Sequence, residues 1–215
     1  MSPDQIQTLF TRRDGSFLCA RWGRPIVPVI FGTDDATLAT VKGAIEAIVA
    51  LAGHSMAETD PELGANLMVF FFRDWAELPQ VPKLDHMIPG LGPLCERLSA
   101  EGANRYRTFR FDETGAIKAV FLFLRMDEHL SDMPAQDLAL AQGAEAMLSF
   151  ADGAFSQISP LARSEGKVIL HPDLALLIRA AYHPILPAVA RDPGHALRLM
   201  ARMLPTPDSI AAPDA

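Results

Sequence analysis

The sequence predicts an α/β fold: a mixed β-sheet of four or more strands covered by helices, with a helical C-terminal third. Three observations predict it. A strand, an amphipathic helix and a second strand follow one another between residues 26 and 72, which is a βαβ unit. Two further strand patterns flank a turn signal at 112–115, and beyond residue 134 the apolar spacing becomes helical. With 215 residues, 49% of them hydrophobic and 21% charged, the chain can bury one sizeable core. The expected organisation is a single globular domain over 1–204 and a loose tail over 205–215, where three prolines and two aspartates leave little apolar content.

Taken in order, the first few residues are expected to fray. Ile26 to Phe31 is a β-branched run ended by Gly32, and Pro25 and Pro28 place it at a sheet edge or delay its start. Thr33-Asp34-Asp35 supplies a helix cap and an acidic first turn. Leu38, Val41, Ile45, Ile48 and Val49 then form one apolar stripe, and Gly53 closes the helix. Asn66 to Phe72 reads as a strand buried on both faces, parallel to the first through a right-handed crossover.

Residues 74–98 combine a helical turn with a loop holding Pro79, Pro82, Pro89 and Pro93, and a helix is expected from Pro93 to Leu98. The stretch 79–93 is a candidate lid or partner-binding loop. Tyr106–Phe111 and Ile117–Leu124 flank Asp112-Glu113-Thr114-Gly115, a hairpin with a four-residue turn. Helices are expected over Pro134–Ala151 and over 173–182, the latter with Pro172 in its first turn and Leu174, Leu177, Ile178 and Ala181 on one face. Asp192-Pro193 opens a last helix with Leu197, Met200, Ala201 and Leu204 turned inward.

Charge and composition exclude several roles. A net charge of −7 disfavours a phosphate backbone as partner. The densest basic stretch, Arg12, Arg13, Arg21 and Arg24, is thinned by Asp14 and reads as a solvated surface. No nucleic-acid partner is expected. The longest apolar runs, around Leu67–Phe72 and Ala119–Leu124, fall far short of the roughly 20 residues that span a bilayer. The start, Met-Ser-Pro-Asp-Gln, shows no basic segment followed by an apolar one, so no membrane partner and a cytoplasmic location are expected. Cys19 and Cys95, without Cys-x-x-Cys spacing, then read as reduced and buried.

Three strings carry a resemblance: Arg21-Trp22-x-x-Pro25-Ile26, Gly64-Ala65-Asn66, and Asp173 to Pro184 with Leu-Leu-Ile-Arg-Ala-Ala-Tyr-His-Pro. With the order of elements over residues 20–204, they resemble a proteobacterial family of unknown function with a zincin-type, metalloprotease-like fold. Many of its members are described as lipoproteins, a feature this chain departs from. The resemblance implies that the functional centre is a helix carrying His-Glu-x-x-His, two zinc ligands one turn apart and a general base. In this sequence that helix is 137–150, with Ala141, Gln142 and Glu145 at the positions of first ligand, base and second ligand. Alanine binds no metal, glutamine accepts no proton, and one carboxylate does not hold zinc. The peptidase chemistry is therefore expected to be gone.

Other residues offer chemistry with a plainer reading beside each. His171, His183 and His195 lie twelve residues apart, near Asp173 and Asp192, and would form a metal or proton-transfer cluster if their helix ends converged. Each also fits as a polar residue at a helix boundary, as His54 does after Gly53. Asp127, Glu128 and His129, with Asp132 and the nearby Arg125, follow the expected central strand, where ligand crevices favour strand ends. They fit equally as a solvated loop. Phe31-Gly32-Thr33 reads as capping rather than phosphate binding, and Gly90-Leu91-Gly92 as a loop. No Gly-x-Ser-x-Gly elbow is present. Trp22 and Trp75 read as core, or as interface residues if exposed.

The expected function is a non-catalytic binding or interaction domain without metal or cofactor, taking a protein partner or forming a homo-oligomer. The alternative is a metal-dependent or unconventional hydrolase, with its site near Asp127, Glu128 and His129 or at the C-terminal histidines.

Overall fold

Where fraying is expected at the N-terminus, the computed structural model, which describes residues 1–156 and 158–204, has a helix, α1 (Pro3–Phe10). Ser2 and Gln5 cap it reciprocally, each side chain accepting from the other's backbone N–H. Ile6, Leu9 and Phe10 of α1 are buried, so this segment is core rather than fringe. The tail expected over 205–215 lies outside the described residues.

After α1 come β1 (Cys19–Ala20), β2 (Pro28–Phe31), α2 (Asp35–Leu51) and β3 (Leu67–Phe72). A 3₁₀ helix (Trp75–Gln80), α3 (Leu84–Met87) and α4 (Leu91–Ala100) lead to the hairpin β4 (Arg105–Phe111) and β5 (Ile117–Arg125). Then follow α5 (Glu128–Ser131), α6 (Ala135–Ala146), β6 (Leu161–Ser164), β7 (Lys167–Leu170), α7 (Pro172–Ala181), β8 (Val189–Ala190) and α8 (His195–Met203). The main sheet has the order β2-β3-β5-β4, parallel across β2, β3 and β5 and antiparallel between β5 and β4. It is the mixed, helix-covered sheet the sequence predicts, with β2 at an edge as its prolines require.

Both faces of the sheet are covered. Met68, Phe70, Phe72, Phe121 and Phe123 pack against Trp75, Leu78, Leu84, Leu91 and Leu98 of the segment joining β3 to β4. Of the segment 79–93, Leu84, Ile88 and Leu91 belong to this second core. Leu67, Val69, Val120, Leu122 and Leu124 face Ile45, Ile48 and Leu138 of α2 and α6 on the other side. Phe31, Phe70, Phe123 and Tyr106 are register partners across all four strands, with ring centroids 4.9, 5.1 and 6.4 Å apart.

A polar node ties β2 to β3. Asn66, fully buried, accepts from the Val27 amide (2.8 Å) and donates to the Pro25 carbonyl and to Asp60 (2.9 Å each). Asp60 also accepts from the amides of Glu62 and Leu63 and pairs with Arg24 at 3.4 Å. Burial alone would raise the Asp60 carboxyl, but the Leu63 and Glu62 amides, Asn66 and Arg24 outweigh it and bring the carboxyl to about 2.

Three further departures from expectation have local causes. Helix α6 stops at Ala146, not at 151, because Leu148 bridges Arg21 and the Ser149 amide donates to the Ala20 carbonyl. On α8 the buried residues are His195, Ala196, Leu199 and Met203; of those expected inward, Met200 packs partly against the core, while Leu197, Ala201 and Leu204 are exposed. The apolar residues of this helix fall on two stripes, and the helix axis selects the other one. The β6–β7 hairpin was not expected; its two-residue turn is Glu165-Gly166, both at positive φ (50° and 79°).

Two outcomes follow for stability. Gly32 has φ 79°, and a Cβ there would lie 1.9 Å from the Phe71 carbonyl oxygen. Gly32→Ala should lower unfolding free energy in urea by at least ~2 kcal/mol. The Asp60 contribution is complete above its unfolded value of 3.8 and is lost as the pH falls from there towards 2. Asp60→Asn should cost about 1–3 kcal/mol at pH 7, and its gap from the unsubstituted protein should narrow as the pH falls through that window.

Candidate functional site

Helix α6 lies against α2 so closely that a Cβ on Gly143 would come within 2.9 Å of Ile48 Cδ1. This holds one side of α6 fixed in the core, and the adjoining side carries Ala141, Gln142 and Glu145 towards β4. Gln142 and Glu145 are themselves buried. On β4, Arg105, Arg107 and Phe109 alternate with Tyr106 and Thr108, so the first three share the α6 side.

Glu145 is held by arginine. The Arg107 guanidinium donates to Oε2 at 2.5 Å, while Oε1 lies 3.6 Å from Arg105 and 3.4 Å from Gln142 Nε2. Arg107 also lies over the Phe109 ring, 5.5 Å from its centroid. Its side chain is 13% exposed, against 44% for Arg105, so Arg107 is the structural arm of the pair and Arg105 the accessible one. Where the resemblance implies a metal ligand set, the cation beside Glu145 is a guanidinium from the edge strand.

This ion pair lies in a groove. A cavity of about 340 Å³ is bordered by Arg13, Arg105, Arg107, Gln142, Glu145 and Phe155. It shares Arg13, Tyr106, Arg107 and Asp152 with a second cavity of about 440 Å³ that reaches Arg12 and Phe109. In the other direction it shares Arg105 and Gln142 with a third, of about 560 Å³, that ends at His129.

One wall of the groove is the free edge of β4. The Arg125 amide donates to the Asn104 carbonyl at 2.8 Å, which sets the alternation of the ladder. Arg105, Arg107 and Phe109 accordingly turn their backbone N–H and C=O groups away from β5. Among the described residues no strand and no isolated bridge pairs with that edge.

The residues singled out in the sequence lie elsewhere or at the margin. Asp127 caps α5 by accepting from the Leu130 amide (2.9 Å) and pairs with Arg125 at 3.5 Å. The Leu130 hydrogen bond, with help from Asn104, Arg125 and His129, holds its carboxyl below the ordinary range. Glu128 is exposed, and of the three only His129 reaches the groove. His171 caps α7 by accepting from the Asp173 amide at 3.2 Å, and His183 accepts from the Ile185 amide at 3.3 Å. His195 is buried, its Nδ1 unpartnered among the described residues. Burial keeps it below its usual value, with Arg198 acting in the same sense and Asp192 opposing. Among the described residues no three His, Cys, Asp or Glu side chains converge as a metal site. Trp22 and Trp75 are both buried, donating to the Ala146 and Ala103 carbonyls.

Sequence reasoning passed over Arg105 and Arg107. The signal was Arg-Tyr-Arg-Thr-Phe-Arg-Phe at 105–111, charge alternating with aromatic residues on a strand, which marks an open edge. Comparison of the chain with protein-family models, with curated proteins and with solved structures returns no match. No helix of the described residues is long and apolar enough to cross a membrane.

The ion pair makes its own prediction. Glu145→Leu and Arg107→Met should each destabilise the protein by ~2–4 kcal/mol, because each leaves a charge in the groove without its partner. The double variant should lose less than the sum of the two by more than ~1 kcal/mol in denaturant titrations.

Proposed function

We propose that the chain is a cytoplasmic, non-catalytic binding domain: a zincin-like scaffold whose groove over α6 holds an extended segment of a protein partner along the free edge of β4. The observation that carries this reading is the Arg107–Glu145 pair. It neutralises the one carboxylate left in the place where the resemblance implies a metal, and it braces the edge strand against the helix below. A braced strand with unpaired backbone groups over a groove is the geometry of strand addition, in which main-chain hydrogen bonds supply affinity and alternate side chains supply specificity. Two free, buried cysteines support a reducing compartment.

The test has two parts. Elemental analysis of untagged protein should find no stoichiometric metal, and added zinc should leave the melting temperature unchanged. Peptides selected from a random display library should shift the amide resonances of Arg105, Arg107 and Phe109 while leaving those of β2 in place. Stoichiometric zinc with peptide hydrolysis would overturn the reading in favour of a hydrolase.

A further inference from the structure

We infer that the segment accepted by the β4 edge is acidic, with Asp or Glu at alternate positions facing α6; this rests on the strand-addition reading above. The chain as a whole carries −7, yet Arg12, Arg13, Arg105 and Arg107 gather along this one groove. Arg107 is committed to Glu145. Arg105 is not: its nearest carboxylate oxygen is at 3.6 Å, beyond hydrogen-bond reach, and almost half of its side chain is open to solvent. Arg13 borders both of the first two cavities and, among the described residues, neither it nor Arg12 forms an ion pair.

Of the acidic groups nearby, only Glu145 is held by a close guanidinium. Glu145 is taken by Arg107, Glu101 lies 3.7 Å from Arg97, and Asp14 accepts from the Ser16 amide and hydroxyl. Asp152 lies on the wall shared by the first two cavities. The groove thus presents five guanidinium groups, Arg12, Arg13, Arg97, Arg105 and Arg107, against the four carboxylates Asp14, Glu101, Glu145 and Asp152, a local positive excess on a chain that carries −7.

Strand geometry converts this into a pattern. Side chains two residues apart on an added strand lie about 7 Å apart on one face, the same step that separates Arg105 from Arg107. A carboxylate across from Arg105 and a second directed at Arg13 satisfy the open donors, while the intervening side chains point to the α4 side. Guanidinium–carboxylate pairing in such a half-enclosed groove is charge-assisted and can be bidentate. It adds to on-rate and specificity, and it weakens as salt rises.

The experiment uses the full chain and three labelled eight-residue peptides, alternating threonine with glutamate, glutamine or lysine. Fluorescence anisotropy gives affinity and amide shifts give location. The glutamate peptide should bind at least tenfold tighter than the glutamine peptide, lose that advantage in high salt, and shift the Arg105, Arg107 and Phe109 amides. Arg13→Glu with Arg105→Glu, shown to be folded by circular dichroism, should transfer the preference to the lysine peptide. If all three peptides shift β4 equally, the acidic preference is wrong and strand addition stands. If none shifts β4, strand addition itself fails and this inference with it. A single-stranded oligothymidylate that binds the groove more tightly than the glutamate peptide would also overturn it.

Discussion

Phe31, Phe70, Phe123 and Tyr106 stand side by side across β2, β3, β5 and β4, one ring from each strand. Each stacked pair contributes about 0.5–1.5 kcal/mol beyond its buried area, and each also fixes the register of the strands that carry it. A slip of one residue in any strand would send its ring to the opposite face, into the layer of α2 and α6. With register fixed, the side of every other side chain in the sheet is fixed as well. Leu67 and Val69 must meet α2, and Arg105 and Arg107 must meet α6.

The covering layers follow from that assignment. Because β3 and β5 are apolar on both faces, the link from β3 to β4 cannot be an open loop, and it supplies a helical layer of its own. The second layer sets α6 beneath β4, with the glycine at 143 keeping it tight against α2. Edge strand and helix then face each other across the groove, and an ion pair with a buried carboxylate is the link between them. Isolated buried ion pairs add little net stability. Their value lies in position: this one holds the edge strand at a set height above the helix, a condition for any ligand that must align its own backbone there.

Much of this frame was legible in the sequence, and what was not has physical reasons. The β2–α2–β3 unit, the β4–β5 hairpin and α7 were readable because local signals and tertiary demand agree: Asp34 caps where the stripe begins, and Pro172 stands in a first turn. α1 was not, since eight residues beside a chain terminus resemble a fringe until Phe10 is seen stacked on Phe150. The inward stripe of α8 was misplaced because both stripes are apolar, and only packing against α1 and α7 decides between them. The β6–β7 turn was hidden by a glutamate at positive φ, where asparagine or glycine is the usual sign. At the site, Gln142 and Glu145 were legible as departures from a metal-binding pattern. The arginines that answer them come from a strand some forty residues earlier, and no local spacing records that contact.

The alternation of arginines on β4 has one more effect, and it concerns what happens between copies of the protein. An unpaired strand edge is a template for its own duplicate, the usual beginning of sheet-to-sheet association. Two β4 edges aligned antiparallel about Tyr106 would set Arg105 across from Arg107, and aligned about Arg107 would set that residue across from itself. Like charges directly opposite repel, so these self-pairings are disfavoured before any hydrogen bond can reward them. In these two alignments the edge is a poor partner for itself.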